Sequence, residues 1–287
     1  MFETPTKPEV LSARRMLLMA GPNRGKTAIV CEQWPRPLQI VSVPGEKGYD
    51  TIPRGVPGIT PYIWKSDPTT KQSSYAIIQE VERTVLDICA GKKGPVQSLC
   101  IDGIHKYYDF VLDYVTGGLF FTAQASGKIV RDQDGVEREE WFDPRVYGRA
   151  HERFKYFITQ VNETSVPYIV WNCWDGREPD IQGVKKSTTH VFPDLPGKMA
   201  KRVMGEFAVT IYQEMNLATA LPKQRAKVTW QLIPEGDIWG AAIKAPIDVA
   251  TKLPKVIEGN LKLLESTLEK AYREAYTEAF TEKPSHG

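Results

Sequence analysis

The stretch at residues 20–27 constrains the fold of this chain more than any other segment. It has the sequence AGPNRGKT, follows an apolar run at residues 16–19 and precedes a segment compatible with a helix. Four residues separate Ala20 from Gly25, which is the spacing of the Walker A phosphate-binding loop with Ala in place of its first Gly. The pattern predicts a strand, a phosphate-binding loop and a helix, in that order.

The composition of this loop suits the physical demands of holding a phosphate group. Successive backbone N–H groups have to curl around the anion, and small residues at Gly21 and Gly25 let the backbone approach it closely. The helix that follows directs the positive end of its dipole at the same anion. We therefore expect nucleotide contacts along the whole loop, from Gly21, Pro22, Asn23, Arg24, Gly25, Lys26, Thr27 and Ala28.

Two side chains of the loop have distinct expected roles. Lys26 would bridge the β and γ phosphates of ATP as a point charge, and the Thr27 hydroxyl would enter the coordination shell of Mg²⁺. The alternative is a glycine-containing strand-to-helix turn in which the Lys-Thr pair is accidental. ATP and Mg²⁺ are the ligands that the motif predicts.

Composition narrows the class of protein. The chain has 287 residues, of which 41% are hydrophobic, enough for one main core. Its 37 Lys and Arg against 35 Asp and Glu leave a net charge of +2, so any nucleic-acid groove has to be local.

The cysteines form no Cys-x-x-Cys pair, which favours reduced thiols in a cytoplasmic protein and argues against zinc. The histidines lack metal spacing and a neighbouring Ser or Cys nucleophile motif, which argues against hydrolase triads, and the first apolar run is too short for a membrane span or signal peptide.

A second motif follows from a buried strand expected at residues 96–101, which is followed by Asp102. Such a strand delivers one carboxylate to the carboxyl edge of a sheet, as in the Walker B arrangement, in which the Asp holds Mg²⁺ through water or through Thr27. An Asp before Gly103 is also typical of a simple turn. The position of this Asp after the phosphate loop favours the metal-binding role.

Strands and helices alternate along the rest of the chain. Strands are expected at residues 38–43, 62–64 and 167–172, and helices from residue 26 to before Pro35, at 77–89 and at 146–161. Antiparallel edge strands are expected at residues 207–213 and 226–233. An apolar seam at residues 257–275 predicts a C-terminal helix that docks on the core rather than an autonomous coiled coil.

These elements indicate an α/β fold, a mixed and mainly parallel sheet flanked by helices with a C-terminal helix. We expect a core over residues 1–245, with an inserted hairpin or loop at about 116–143, and a helical tail over residues 246–287.

The order and spacing of these motifs resemble the RecA-like P-loop ATPases, most closely the phage-encoded members implicated in recombination and single-strand annealing. The resemblance covers about residues 15–233 and rests on the segments 20–27, 41–46, 99–102, 169–172 and 195–200. The chain departs from the family at Ala20, at Gly103, where many relatives carry a hydroxyl residue, and at Cys173. These departures bear on turnover more than on binding.

The resemblance implies roles for three further residues. Glu46 would activate the water that attacks the γ-phosphate, and Asn172 would sense that phosphate. Asp50 falls where the family often places an adenine contact. A carboxylate near the attacked phosphate also makes chemical sense for a general base, although a solvated loop carboxylate is the alternative for Glu46.

The resemblance also implies partners. RecA-like ATPases work as rings or filaments with a cation supplied in trans to the nucleotide, and Arg225 and Lys227 are the candidates here. Ordinary solvated positions on an edge strand are the alternative. A homo-oligomer is therefore expected.

The segment at residues 175–193 is too long for a tight connection and lies where relatives have a DNA-facing loop. Arg177, Lys185 and Lys186 are the candidate nucleic-acid contacts, although a mobile polar loop has the same composition. Two functions stay open: an ATPase acting on single-stranded DNA, in the host cytoplasm if phage-encoded, and a nucleotide-regulated assembly or packaging ATPase that does not bind DNA directly.

Overall fold

The fold is α/β, with a mixed and mostly parallel sheet flanked by helices. The computed structural model describes residues 14–52, 55–64, 73–118, 120–121, 130–131, 137–138, 144–177, 191–195, 199–216, 226–235, 238 and 240–281. Within these residues ten strands join in one sheet, and two short strands form a separate hairpin pair.

The strands of the structure are β1 (Arg15–Ala20), β2 (Leu38–Ser42), β3 (Ile59–Ile63), β4 (Ser98–Asp102), β5 (Val130–Arg131), β6 (Glu137–Arg138), β7 (Tyr168–Arg177), β8 (Val191–Pro193), β9 (Val209–Asn216), β10 (Lys227–Gln231), β11 (Ala242–Ile243) and β12 (Val256–Glu258). The helices are α1 (Lys26–Gln33), α2 (Ser74–Cys89), α3 (Ile104–Val115), α4 (Pro144–Asn162), α5 (Met199–Val203), α6 (Ile247–Ala250) and α7 (Leu261–Thr281). Short 3-10 turns lie at Gly48–Thr51 and Met204–Glu206.

The sheet has the strand order β12-β10-β9-β1-β7-β4-β2-β3. The strands from β9 to β3 run parallel to one another. β10 joins β9 antiparallel and β12 joins β10 antiparallel, while β11 and β8 pair antiparallel with β9 and β7. A parallel sheet has its strand carboxyl ends along one edge, and ligands of open α/β sheets bind beyond that edge.

Each face of the sheet has its own hydrophobic core. Successive strand residues point to opposite faces, so Leu17 joins one core while Met16 and Leu18 join the other. The first core includes buried aromatic side chains of α3 and α4, and the second includes Trp34, Trp230 and the buried side of α7. Central strands buried on both sides read as continuous apolar runs, as residues 16–19 do.

Several sequence-based predictions are confirmed. Helix α1 ends at Gln33, before Pro35, and α2 and α4 overlap the predicted helices at 77–89 and 146–161. The two late strands are antiparallel to each other, as expected. The first of them, β9, nevertheless pairs parallel with β1, so the antiparallel edge begins at β10.

Helix α3 and strand β7 differ from the sequence-based expectation. Helix α3 directly follows Gly103 and was not predicted. Strand β7 does not end at Asn172 but continues to Arg177, because its last residues pair with β8. The ends of the expected loop at 175–193 are therefore strand residues.

The segment after residue 245 is not only a helical tail. Strand β12 within it pairs with β10 at the sheet edge, and Ile257, expected in the helical seam, belongs to that strand. The seam residues Leu264 and Leu268 of α7 are buried in the second core, so the helix docks on the core as the seam predicts. In the expected insertion, β5 and β6 pair antiparallel.

Candidate functional site

Four chain segments meet at the carboxyl edge of the sheet. Strand register sets Asp102 opposite Ser42 on one side and opposite Asn172 on the other. Ala20, which begins the phosphate-loop motif, stands opposite Trp174 of β7. Strand β7 lies between β1 and β4, so its polar residues reach the space between the loop and Asp102.

The loop at residues 20–27 is held in place by the neighbouring strand β9. Asn23 has a φ of 59° and Gly25 a φ of 73°, left-handed values that occur where backbone N–H groups form an anion-binding concavity. The Gln213 amide donates a 2.6 Å hydrogen bond to the carbonyl oxygen of Arg24, and the Trp230 indole N–H donates to Gln213 Oε1 at 3.0 Å. The loop therefore rests on a buried polar support.

Lys26 is the first residue of α1 and is buried. Its ammonium donates hydrogen bonds of 2.8 Å and 3.0 Å to the carbonyl oxygens of Ala20 and Gly21. Burial lowers the pKa of Lys26, while acidic groups around it, among them Asp102 and Glu46, act in the opposite direction. A buried cation beside a loop of backbone N–H groups is suited to an anion.

Thr27, Asp102 and Asn172 form a hydrogen-bonded row. The Thr27 hydroxyl donates to Asp102 Oδ2 at 2.9 Å, and the Asn172 amide donates to Asp102 Oδ1 at 3.0 Å. Burial raises the pKa of Asp102, although these two hydrogen bonds act against it. A buried carboxylate that costs free energy to keep ionised is a candidate partner for a cation.

The oxygen atoms of the row are chemically suited to a Mg²⁺ ion. A Cβ atom added to Gly48 would lie 2.2 Å from Asp102 Oδ2 and 2.5 Å from Thr27 Oγ1, so only Gly admits this close approach of the 3-10 turn. Asn172 Oδ1 is buried and has no hydrogen-bond partner among the described residues. Hydroxyl, carboxylate and amide oxygens are the ligands that Mg²⁺ prefers, together with nucleotide phosphates.

Glu46 lies beside this row and contacts a histidine. Glu46 Oε1 and His105 Nε2 are 2.9 Å apart, with the two side chains 7% and 3% exposed, although the contact lacks the alignment of a good hydrogen bond. On the other side of the ring, the Trp174 backbone N–H donates to His105 Nδ1 at 3.4 Å. The His105 ring also stacks on the Trp174 ring, with centroids 4.6 Å apart.

Gly103 lies where a side chain would meet Glu46. Its φ is 99°, and a Cβ at this position would lie 2.2 Å from Glu46 Cγ. A hydroxyl residue here would have to displace Glu46, which explains why Gly follows the Asp in this chain.

A cleft of about 340 Å³ connects these groups. Its lining consists of residues of the phosphate loop and of the opposite wall, namely Pro22, Asn23, Arg24, Gly25, Lys26, Thr27, Gly45, Glu46, Lys47, Gly48, Thr51, Asp102 and Trp174. Gly21 and Ala28 flank this lining in the chain. The volume lies within the range of small-ligand pockets, about 300–1,000 Å³.

Among the remaining predicted site residues that the structure describes, Asp50, Lys227 and Asn172 do not line this cleft. Asp50 is exposed on the 3-10 turn and does not line the cleft. Lys227 is exposed at the start of β10, and the backbone of Arg177 ends β7. Lys185, Lys186 and Arg225 lie outside the described residues.

Sequence reasoning missed four residues that this site uses: Gly48, His105, Trp174 and Gln213. His105 belongs to neither a metal-binding nor a nucleophile motif. One available signal was its place three residues after Asp102, in the first turn of a helix at the carboxyl edge of the sheet. Gln213 offered no signal, because its contact with the loop depends on strand β9 lying next to β1.

Comparison with known proteins adds no assignment. No protein-family model matches this chain, and a search of curated proteins gives no match either. Among the described residues, no helix is both long and apolar enough to cross a bilayer. In the same part of the chain, no group of three or more His, Cys, Asp or Glu side chains is arranged to hold a metal ion, so the candidate Mg²⁺ site depends on a hydroxyl and a single carboxylate.

Proposed function

We propose that this chain is a Mg²⁺-dependent RecA-like ATPase that acts on single-stranded DNA in phage-type recombination or annealing. The observation that carries the proposal is the convergence of the phosphate loop, Glu46 and Asp102 on one cleft at the carboxyl edge of the sheet, with Asn172 hydrogen-bonded to Asp102 behind it. These groups come from four separate strands or loops, and each has the residue type that nucleotide hydrolysis requires. A strand-to-helix turn with an accidental Lys-Thr would not need the other three.

The roles follow from the chemistry of each group. Lys26 and the loop N–H groups would bind the β and γ phosphates, while Thr27 and Asp102 would hold Mg²⁺, which supplies charge neutralisation when bound. Glu46 would take a proton from the water whose oxygen attacks the γ-phosphorus. As that P–O bond forms, the bond from the γ-phosphorus to the bridging oxygen breaks, and ADP and inorganic phosphate are released.

We assign Asn172 the role of a sensor of the γ-phosphate on the basis of its contact with Asp102. It is fully buried, its amide holds Asp102, and Asn172 Oδ1 has no partner among the described residues. An amide that already contacts the carboxylate would report changes at the metal and phosphate to strand β7. This supports the role that the family resemblance assigns to it.

The proposed DNA contacts lie in the segment that follows β7 in the chain. Asp175 and Arg177 pair antiparallel with Pro193 and Val191, and they follow Trp174, which lines the cleft, along the same strand. Lys185 and Lys186 in that segment are the proposed contacts to the DNA backbone. Arg225 or Lys227 is the proposed trans cation in a homo-oligomer, and the four free cysteines, three of them buried, suit the reducing cytoplasm.

The net charge of +2 favours one second candidate, a nucleotide-regulated assembly or packaging ATPase that does not contact DNA. The apolar seam of α7 does not support this candidate. Its residues Leu264 and Leu268 are buried in the protein's own core, and a buried seam offers no surface to another subunit.

The experiment that separates these functions is the ATPase rate with and without single-stranded DNA, alongside the oligomer size in each nucleotide state. The Lys26→Ala variant, with the exposed Lys92→Ala as its control, tests the phosphate loop in the same assay. We expect DNA-stimulated hydrolysis in the wild type and in Lys92→Ala, and none in Lys26→Ala. A fold-preserving Lys26→Ala variant with unchanged ATP affinity and rate would refute the phosphate-loop assignment.

A further inference from the structure

We propose that His105 is a positioning residue that holds Glu46 in the orientation of a general base. The inference rests on the proposed ATPase function and extends it to a residue outside the sequence motifs. The contact that carries it joins Glu46 Oε1 to His105 Nε2 at 2.9 Å, between two buried side chains.

The tautomer of His105 follows from its other neighbour. The Trp174 backbone N–H donates to Nδ1 at 3.4 Å, so Nδ1 acts as an acceptor and carries no proton. In a neutral imidazole the proton then resides on Nε2, which faces Glu46 Oε1. A backbone group of β7 thus leaves the one N–H of the ring on the nitrogen that lies 2.9 Å from the carboxylate, and a small rotation of either side chain would align the two for a hydrogen bond.

Packing keeps both side chains in this arrangement. The His105 ring is stacked on the Trp174 ring at an angle of 31°, and the Lys106 ammonium lies 5.1 Å from the centroid of that indole on β7. Glu46 Cγ lies in the space left by the missing side chain of Gly103. Rotation of either group would cost these contacts, so the pair forms a fixed unit at the wall of the cleft.

The consequence for catalysis concerns the two oxygens of Glu46. Oε1 is engaged by the imidazole, which leaves Oε2 to accept the proton of the attacking water. His105 would touch neither nucleotide nor water, and its loss would let the carboxylate rotate. Because the effect acts on orientation, it should lower kcat and leave ATP affinity almost unchanged.

Two amide substitutions at residue 105 test which contact of His105 matters, because their nitrogen atoms reach different distances from the backbone. In His105→Gln the amide nitrogen reaches about as far as Nε2 and can donate to Glu46, whereas in His105→Asn it reaches only about as far as Nδ1. We expect His105→Asn to lower kcat by roughly tenfold or more, since small misplacements near the reacting groups have effects of this size. We expect His105→Gln to retain most of the rate, and both variants to bind ATP with a Kd within about twofold of the wild type.

A double-mutant cycle with Glu46→Gln distinguishes positioning from general structural damage. If His105 acts through Glu46, His105→Asn should cause no further loss of single-turnover rate in the Glu46→Gln background. The inference is overturned if His105→Asn lowers the rate by the same factor in both backgrounds, or if His105→Asn and His105→Gln turn over equally.

Failure of the inference is distinguishable from failure of the proposed function. If the wild type hydrolyses ATP and Lys26→Ala does not, but His105→Asn matches the wild type, only the positioning role falls. If the wild type hydrolyses no ATP with or without DNA, both proposals fall. A cycle of unfolding free energies for Glu46→Gln and His105→Asn then still measures whether the two side chains interact.

Discussion

Gly103 and Glu46 are packed so closely that a Cβ atom on Gly103 would lie 2.2 Å from Glu46 Cγ. The same glycine directly follows Asp102 and directly precedes helix α3, which carries His105. The backbone conformation at one residue therefore sets the positions of the candidate metal ligand, the candidate base and its histidine neighbour.

Gly103→Ala should displace Glu46 and slow hydrolysis. Gly94→Ala is a matched control, since Gly94 has the same φ of 99° with nothing within 4 Å of its would-be Cβ. Both variants should lose about 1–3 kcal/mol of unfolding free energy to backbone strain. Only Gly103→Ala should lower kcat, as measured by steady-state ATPase assays beside chemical denaturation. Equal kcat in the two variants would show that this packing is irrelevant to turnover.

Asp102→Asn should stabilise the protein while it disables the metal site. Burial raises the pKa of Asp102 above its value in the unfolded chain, so the folded state binds a proton at Asp102 more tightly than the unfolded state does. The free energy of unfolding therefore falls as the pH rises from the unfolded-state pKa to the folded-state pKa. Asn does not titrate, so the variant should be more stable at neutral pH and show a flatter dependence on pH. Turnover should drop by roughly 100-fold or more, because bound metal contributes several kcal/mol to such reactions.

The control for this substitution is Asp87→Asn. Asp87 accepts a hydrogen bond from Lys92 on the surface, which lowers the pKa of the Asp87 carboxyl. Asp87→Asn should therefore lower the free energy of unfolding at neutral pH, whereas Asp102→Asn should raise it. Denaturation from pH 4 to pH 8 with ATPase assays provides both readouts. An Asp102→Asn variant that is less stable than the wild type at neutral pH would contradict the electrostatic account.

Gln213→Leu should weaken nucleotide binding from outside the motif. The substitution removes the donor to the carbonyl oxygen of Arg24 and the acceptor of the Trp230 indole N–H, and a buried polar group without a partner costs about 1–3 kcal/mol. The control is Gln231→Leu, whose amide donates to the carbonyl oxygen of Ile233 rather than to the loop. Nucleotide titration should show lower affinity for Gln213→Leu alone, and equal affinities would rule out this support.

Replacing Lys185 and Lys186 together with Ala should weaken single-strand binding with little dependence on sequence. The logarithm of affinity falls with the logarithm of salt by about 0.7 per neutralised phosphate on single strands, so losing two contacts should reduce that slope by roughly 1.4. The adjacent exposed pair Lys92 and Lys93, replaced in the same way, should leave the slope unchanged. If the wild type binds no single strand at low salt in any nucleotide state, the assembly function replaces the DNA function.

Local sequence was sufficient for the parts of the site that lie within one segment. The phosphate loop is contiguous, and its strand, loop and helix follow from apolar runs, glycines and Pro35, all of which act over a few residues. The strand that ends at Asp102 is predictable for the same reason. Helix α3 is not predictable in the same way, because Gly after Asp102 is also typical of a simple turn.

Only the tertiary structure determined which distant groups meet at the cleft. The contacts of Glu46 with His105, of Trp174 with His105 and of Gln213 with Arg24 depend on the strand order β9-β1-β7-β4-β2. Periodicity shows which face of a strand is buried, but it does not indicate which strand lies beside it. The phosphate loop can therefore be predicted from the sequence. The groups that would orient the water, the base and the loop can be identified only from the assembled sheet.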